Sequence, residues 1–211
     1  QNESEILREG VKYGKEDRYA LMGEEVDIMK KIWTADGPID FDGKFHQLRG
    51  TVIVPGIYQK PYPKFYLGGG SAEAAEISAK HSDVHLFWGD QPAKIAENII
   101  RIRELADKYG RADEIGFGMR LQIICRETEE EAWAAARTLV SGASEGTVSR
   151  IRDITSNSAA NRRVQELADL GEMIGPALWT GISQVRSGAG IAVVGSPEQC
   201  AAQLQEFIDV G

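Results

Sequence analysis

The chain reads as an α/β fold resting on a parallel sheet with covering helices. An apolar strand followed by a helix recurs three times through its middle, the strands opening near Lys64, Asp83 and Ile115. The first two are short continuous apolar runs, Phe65-Tyr66-Leu67 and Val84-His85-Leu86-Phe87, of the kind expected when both faces of a strand are covered.

In chain order, residues 15–33 have helical spacing, with Tyr19, Met22, Val26, Met29 and Trp33 on one side. Asp36-Gly37-Pro38 stops that helix, and residues 39–48 turn about Asp42-Gly43 as a small hairpin. Pro61 and Pro63 set an extended lead-in to the strand at 64–67, which Gly68-Gly69-Gly70 breaks. Ser71 then stands where a helix over 72–80 would take its N-cap. A second strand over 83–88 ends at Gly89-Asp90, and a helix over 92–109 ends at Gly110. The third strand covers 115–125, and Thr128 with Glu131 makes a capping box for a helix to about 139. From 141 to about 175 the rhythm breaks into a polar excursion with a helical patch at 162–170. A second glycine-rich turn, Gly188-Ala189-Gly190, precedes a last helix over 197–210.

The bulk numbers set limits on function. With 211 residues, 42% hydrophobic and 27% charged, the chain suits one domain with a real core. A net charge of −8 argues against nucleic acid or an anionic membrane as partner. No apolar run or leader is expected to enter a membrane, and a reducing cytoplasm fits the sparse cysteines. Cys125 and Cys200 lie far apart in sequence, match no metal or redox spacing, and are expected to be buried free thiols. With His46, His81 and His85 the only histidines, no metal site is expected. Phosphate-loop, dinucleotide-fingerprint and nucleophile-elbow patterns are absent from the sequence.

Several groupings can carry chemistry. A strand, a glycine turn and a helix N-terminus at Ser71 leave backbone N–H groups and a helix dipole facing an anion, although such turns are often only turns. Strand alternation puts Gly118, Arg120 and Gln122 on one face, opposite Phe117, Met119, Leu121 and Ile123. Arg120 must there meet a carboxylate, a ligand anion or water. Trp88 closes the second strand at the end where parallel α/β sheets bind ligands, as a wall for a substrate or as core packing. Arg186 beside the second glycine turn suits anion capture or a solvated surface. Tyr19, near a helix start, can offer its hydroxyl to a phosphate or its ring to the core.

These pieces together resemble the luciferase-like flavin-dependent monooxygenases, most closely the FMNH2-dependent alkanesulfonate monooxygenases. The resemblance is carried in order by Glu16-Asp17-Arg18-Tyr19, Asp42-Gly43-Lys44-Phe45, Gln59-Lys60-Pro61-Tyr62-Pro63 with Gly68-Gly69-Gly70-Ser71, and Trp88-Gly89. It continues through Phe117-Gly118-Met119-Arg120-Leu121, Arg126-Glu127-Thr128, Glu131-Ala132-Trp133, Leu178-Trp179 and Val185-Arg186 with Gly188-Ala189-Gly190.

The resemblance implies a partial TIM (β/α)8 barrel of the bacterial-luciferase-like type, holding strands five to seven of a longer protein. One partial barrel domain would span residues 1–211, with a hairpin insertion at 36–56 and an insertion or lid at 141–190. Strands one to four and strand eight would lie outside the chain, leaving open sheet edges and an exposed apolar face. The implied reaction uses reduced FMN and O2 to turn an alkanesulfonate into an aldehyde and sulfite. A separate NAD(P)H-dependent FMN reductase would be the partner, and the full-length protein would be a homo-oligomer. Tyr19, Gly70 and Ser71 would hold the FMN phosphate, while Trp88, Arg120, Gln122 and Arg186 would line the active site. The sulfonate branch usually carries histidine where this chain has Gln122, which hydrogen-bonds but does not titrate near neutral pH. That departure keeps open a sulfone or other small organic substrate, or a deazaflavin in place of FMN.

Overall fold

The computed structural model describes residues 13–144, 146, 148–149, 151, 159–186, 188 and 190–211. Helix α1 (Lys15–Thr34) is followed by the antiparallel hairpin β1 (Ile39–Asp42) and β2 (Gln47–Thr51). Then come β3 (Tyr66–Gly68), α2 (Ala72–His81), β4 (Val84–Trp88), α3 (Pro92–Asp107) and β5 (Gly116–Arg120). These three strands form a parallel sheet in chain order, so α2 and α3 are the crossovers of two consecutive β/α units.

The register fixes what faces what. Gly68 lies opposite Leu86, which lies opposite Gly118; one step on, Trp88 lies opposite Arg120. One face is covered by helices: Phe87, Phe117 and Met119 pack against Ala75 and Ala79 of α2 and Ile95, Ile99 and Ile102 of α3. Phe87 and Phe117 stack at 5.8 Å. The other face carries Tyr66, Val84, Leu86, Trp88 and Gly118, none of them buried, and Tyr66 is 59% exposed. The expectation of an apolar face left open to solvent is met here.

The third expected strand is divided. It stops pairing with β4 at Arg120, passes through Leu121, and resumes as β6 (Gln122–Cys125) against a new neighbour, β8 (Ala192–Gly195). β7 (Leu178–Trp179) adds antiparallel to the other side of β8. The sequence reading assigned no strand at 192–195. The apolar run Ile191-Ala192-Val193-Val194 is short and bracketed by glycines, so it reads as part of the turn; full burial of all four residues shows a central strand. Helices α4 (Glu129–Val140), α5 (Ala159–Leu170), α6 (Gly181–Val185) and α7 (Pro197–Asp209) complete the described elements. The expected caps form at α4 (Thr128 accepts from the Glu131 N–H) and at α2. At α7, Ser196 and Gln199 complete a reciprocal box.

His85 is 1% exposed on the helix-covered face, with its ring tilted against Phe87 at 4.7 Å. Burial is the main cause that lowers its pKa to about 4, the nearby Arg101 cation adds to it, and a hydrogen bond to the Gly69 carbonyl opposes it. His81, 3% exposed, is lowered to about 4, again mainly by burial. The unfolded chain therefore binds more protons than the folded one between pH about 6.5 and about 4, so stability falls as pH falls across that window and levels off below it. Denaturant unfolding at pH 7, 6 and 5 should show this loss, and His85→Gln should flatten it by up to about one proton's share, roughly 1.4 kcal/mol per pH unit. An unchanged slope in His85→Gln would show that His85 does not titrate in this way.

Candidate active site at the C-terminal end of the parallel sheet

The glycine turn after β3 leads into α2 with Ser71 as N-cap, its Oγ accepting from the Ala74 N–H at 3.2 Å. The first amides of α2 point out of the helix without intrahelical acceptors, which is the basis of anion binding at helix N-termini. α1 delivers Tyr19 to this point, and its hydroxyl lies 3.3 Å from Ser71 Oγ. Glu73, in the first turn of α2, would oppose an anion. Lys15 of α1 reaches it at 2.7 Å and is the main cause that holds its carboxyl low, at about 2. Beneath the turn lies the buried His85 of β4, whose pKa the Gly69 backbone raises against the larger lowering by burial. Gly70 could not carry a side chain without displacement: a β-carbon there would stand 3.3 Å from the backbone nitrogen of Ala160 at the start of α5.

The second group lies at the ends of the neighbouring strands. Trp88 and Arg120 are register partners, and the Gly89 N–H donates to the Arg120 carbonyl at 3.2 Å. Arg120 is exposed and has no carboxylate within ion-pair distance among the described residues. Trp88 is half-buried at the strand end and lies outside the buried core. Gln122 begins β6 opposite Ala192. Gly190, at φ +65°, comes within contact of Trp88, since a β-carbon on it would be 3.9 Å from Trp88 Cβ and from the Gly89 nitrogen. That close approach seats the end of the second glycine turn against the tryptophan. Arg186, exposed, stands at the start of the same turn as C-cap of α6. Thus Tyr19 meets Ser71, Trp88 meets Arg120, and the loop from Arg186 ends at Trp88, all beyond the C-terminal ends of the parallel strands.

An ion pair that sequence reasoning missed joins the two groups. Arg163 of α5 holds Asp90 through two bonds, Nε to Oδ2 at 2.7 Å and Nη2 to Oδ1 at 2.9 Å. The Asp90 side chain is 7% exposed and also accepts from the Gln91 N–H at 2.7 Å. Asp90 raises the guanidinium pKa further above its already high range. Gln91 in turn donates to the Ile174 carbonyl at 3.0 Å. Ala160 and Arg163 are one helical turn apart on α5, so the excursion helix touches the glycine turn with one residue and the end of β4 with the next. The residues are 73 apart in sequence, and an arginine in a polar segment gives no local sign of its partner.

The luciferase-like monooxygenase family model matches residues 2–211, and the chain belongs to that family. Among solved structures it is similar to riboflavin lyase (RcaE), solved with modified FMN and riboflavin, at 19% identity and TM-score 0.76, covering 99% of this chain and 54% of that one. It is similar to DmoA from Hyphomicrobium sulfonivorans at 20% identity and TM-score 0.76, over 98% and 52% of the two chains. Long-chain alkane monooxygenase (LadA) matches at 19% identity and TM-score 0.73, over 97% and 52%. The chain therefore spans about half the length of these proteins and carries part of the TIM barrel they share. Among the described residues no cluster suited to a metal occurs, and no helix is long and apolar enough to cross a membrane.

Because Asp90 is buried, removing its cation leaves an unpaired carboxylate. Arg163→Met should lower the unfolding free energy by about 2 kcal/mol, discounted for the partial exposure of Arg163, and Asp90→Asn in the same chain should restore part of it. Denaturant titration of the two variants checks this; no loss in Arg163→Met would show that the pair is not a structural tie.

Proposed function

We propose that this chain forms the flavin-phosphate and substrate-facing part of a monooxygenase that uses reduced FMN and O2 to convert alkanesulfonates to aldehyde and sulfite. One observation carries it: hydroxyls of Tyr19 and Ser71 converge at the N-terminus of α2, one strand away from Trp88 and Arg120. The donor set fits a phosphate dianion, since it combines outward amides, two hydroxyls and a lysine that neutralises the only first-turn carboxylate of α2. When bound, reduced FMN supplies the electrons that activate O2. Arg120 neutralises the sulfonate, Trp88 walls the reacting end from water, and Gln122 hydrogen-bonds to substrate. Arg186 closes over the substrate from the second glycine turn. An NAD(P)H-dependent flavin reductase supplies the reduced cofactor.

A second reading, a sulfone or other small organic substrate or a deazaflavin cofactor, is favoured by Gln122, which cannot relay a proton near neutral pH as a histidine would. Proteins of the same fold are described as an EDTA monooxygenase and an F420-dependent secondary alcohol dehydrogenase, so the shared fold leaves substrate and flavin type open.

The test is sulfite release from a panel of alkanesulfonates by the whole protein with flavin reductase, NADH and O2. Sulfite that requires FMN supports the first reading; substrate-stimulated O2 uptake on sulfones with no sulfite from sulfonates moves the assignment to the second. Arg120→Ala should lower turnover by about 100-fold or more while FMN affinity changes little. Equal loss of both would remove Arg120 from substrate chemistry. Ser71→Ala should weaken FMN by roughly tenfold and leave riboflavin, which lacks the phosphate, unaffected. An equal effect on both ligands would take Ser71 out of the phosphate site.

A further inference from the structure

Cys125 and Cys200, far apart in sequence and expected to be buried free thiols, pack in one cluster. Cys125 ends β6, where its register partner is Gly195 of β8. Cys200 lies in the first turns of α7, which starts just after Gly195, and its thiol donates to the Gly195 carbonyl at 3.6 Å. Both side chains pack in the same cluster with Val193 and Phe207, close enough that Cys125 contributes to raising the Cys200 pKa. They are not equivalent. Cys200 is 4% exposed, whereas Cys125 is half-buried and lines an open hollow of about 590 Å³ with Arg126 and Pro197. Small solutes can therefore reach Cys125 from solvent, whereas Cys200 is almost closed off from it.

We infer that Cys125 and Cys200 form a peroxide-reactive dithiol that closes to an intramolecular disulfide between β6 and α7. In the first step Cys125 sulfur attacks hydrogen peroxide. An S–O bond forms, the O–O bond breaks, and the departing hydroxide takes the thiol proton to leave as water. In the second, Cys200 sulfur attacks the sulfenic sulfur of Cys125. The S–S bond forms, the S–O bond breaks, and the second hydroxide takes the Cys200 proton to leave as water. Two thiols and one peroxide thus give one disulfide and two waters; sulfur is oxidised and peroxide reduced. Burial, with the adjoining thiol, raises the Cys200 pKa to about 11, which suits it to the second, resolving role rather than to first attack. The bridge would span 125 to 200, a stretch that contains both Arg163 and Arg186. It would cross-link β6 to α7 and reduce the freedom of the unfolded chain between them.

The experiment treats the reduced full chain with hydrogen peroxide, counts free thiols after denaturation, and maps peptides before and after dithiothreitol. Both thiols should be lost together, with a linked 125–200 peptide within one chain and full recovery on reduction. The oxidised chain should also melt at a higher temperature. In Cys200→Ser, Cys125 should accumulate as a sulfenic acid trapped by dimedone, and Cys125→Ser should leave Cys200 unmodified at the same dose. Loss of one thiol without the other, cross-links only between chains, or irreversible oxidation without the linked peptide would overturn the inference. The wild-type peptide map decides the matter even if a serine variant fails to fold.

Discussion

The register between the parallel strands is the constraint on which the candidate site depends. Parallel pairing sets Trp88 beside Arg120 and puts Gly68 two residues short of that level on the next strand. A slip of one residue would exchange the two faces of a strand. Phe87 and Phe117 would then face solvent, and Trp88 would enter the helix-covered core. The stacked Phe87 and Phe117 rings, with Ile95, Ile99 and Ile102 of α3 against the same face, make such a slip costly. Hydrophobic burial on one face thus leaves Trp88 and Arg120 side by side on the other.

Much of this architecture was legible before any coordinates. The helix at α1, the N-cap at Ser71, the strand ending in Trp88 and the Thr128 N-cap of α4 all follow from local signals: helical spacing, a serine after a glycine break, a continuous apolar run, and a threonine opening an acidic first turn. What stayed hidden is non-local. The break at Leu121 reflects a change of neighbour from β4 to β8, which no residue in the strand announces. The strand at Ala192–Gly195 is four residues long and bounded by glycine turn and helix cap, so its central position shows only in its burial. Asp90 with Arg163, and Cys125 with Cys200, are each joined by the fold across more than 70 positions. The candidate residues themselves were all named from sequence, but the helix that links them was read only as a helical patch in a polar excursion.

That helix changes how the site is to be understood. Through Ala160 at Gly70 and Arg163 at Asp90, α5 lies across both the glycine turn and the end of β4. The family resemblance treats the excursion as a lid. Its described helical part is held by a bidentate ion pair to a buried carboxylate, and Gln91 donates to the Ile174 carbonyl a few residues beyond the helix.

Gly118 carries a consequence of another kind. It faces the open side of the sheet next to Leu86, and a β-carbon there would meet Leu86 Cδ2 at 2.8 Å. Two adjoining strands thereby divide one portion of space unequally, with a leucine on β4 occupying the room that a residue on β5 gives up. The depth beneath the Trp88–Arg120 level is therefore governed by one side chain rather than two. An exchange of bulk between positions 86 and 118 would shift that volume sideways while keeping its total, re-aiming the floor beneath Trp88 and Arg120 without touching Tyr19, Gly70 or Ser71.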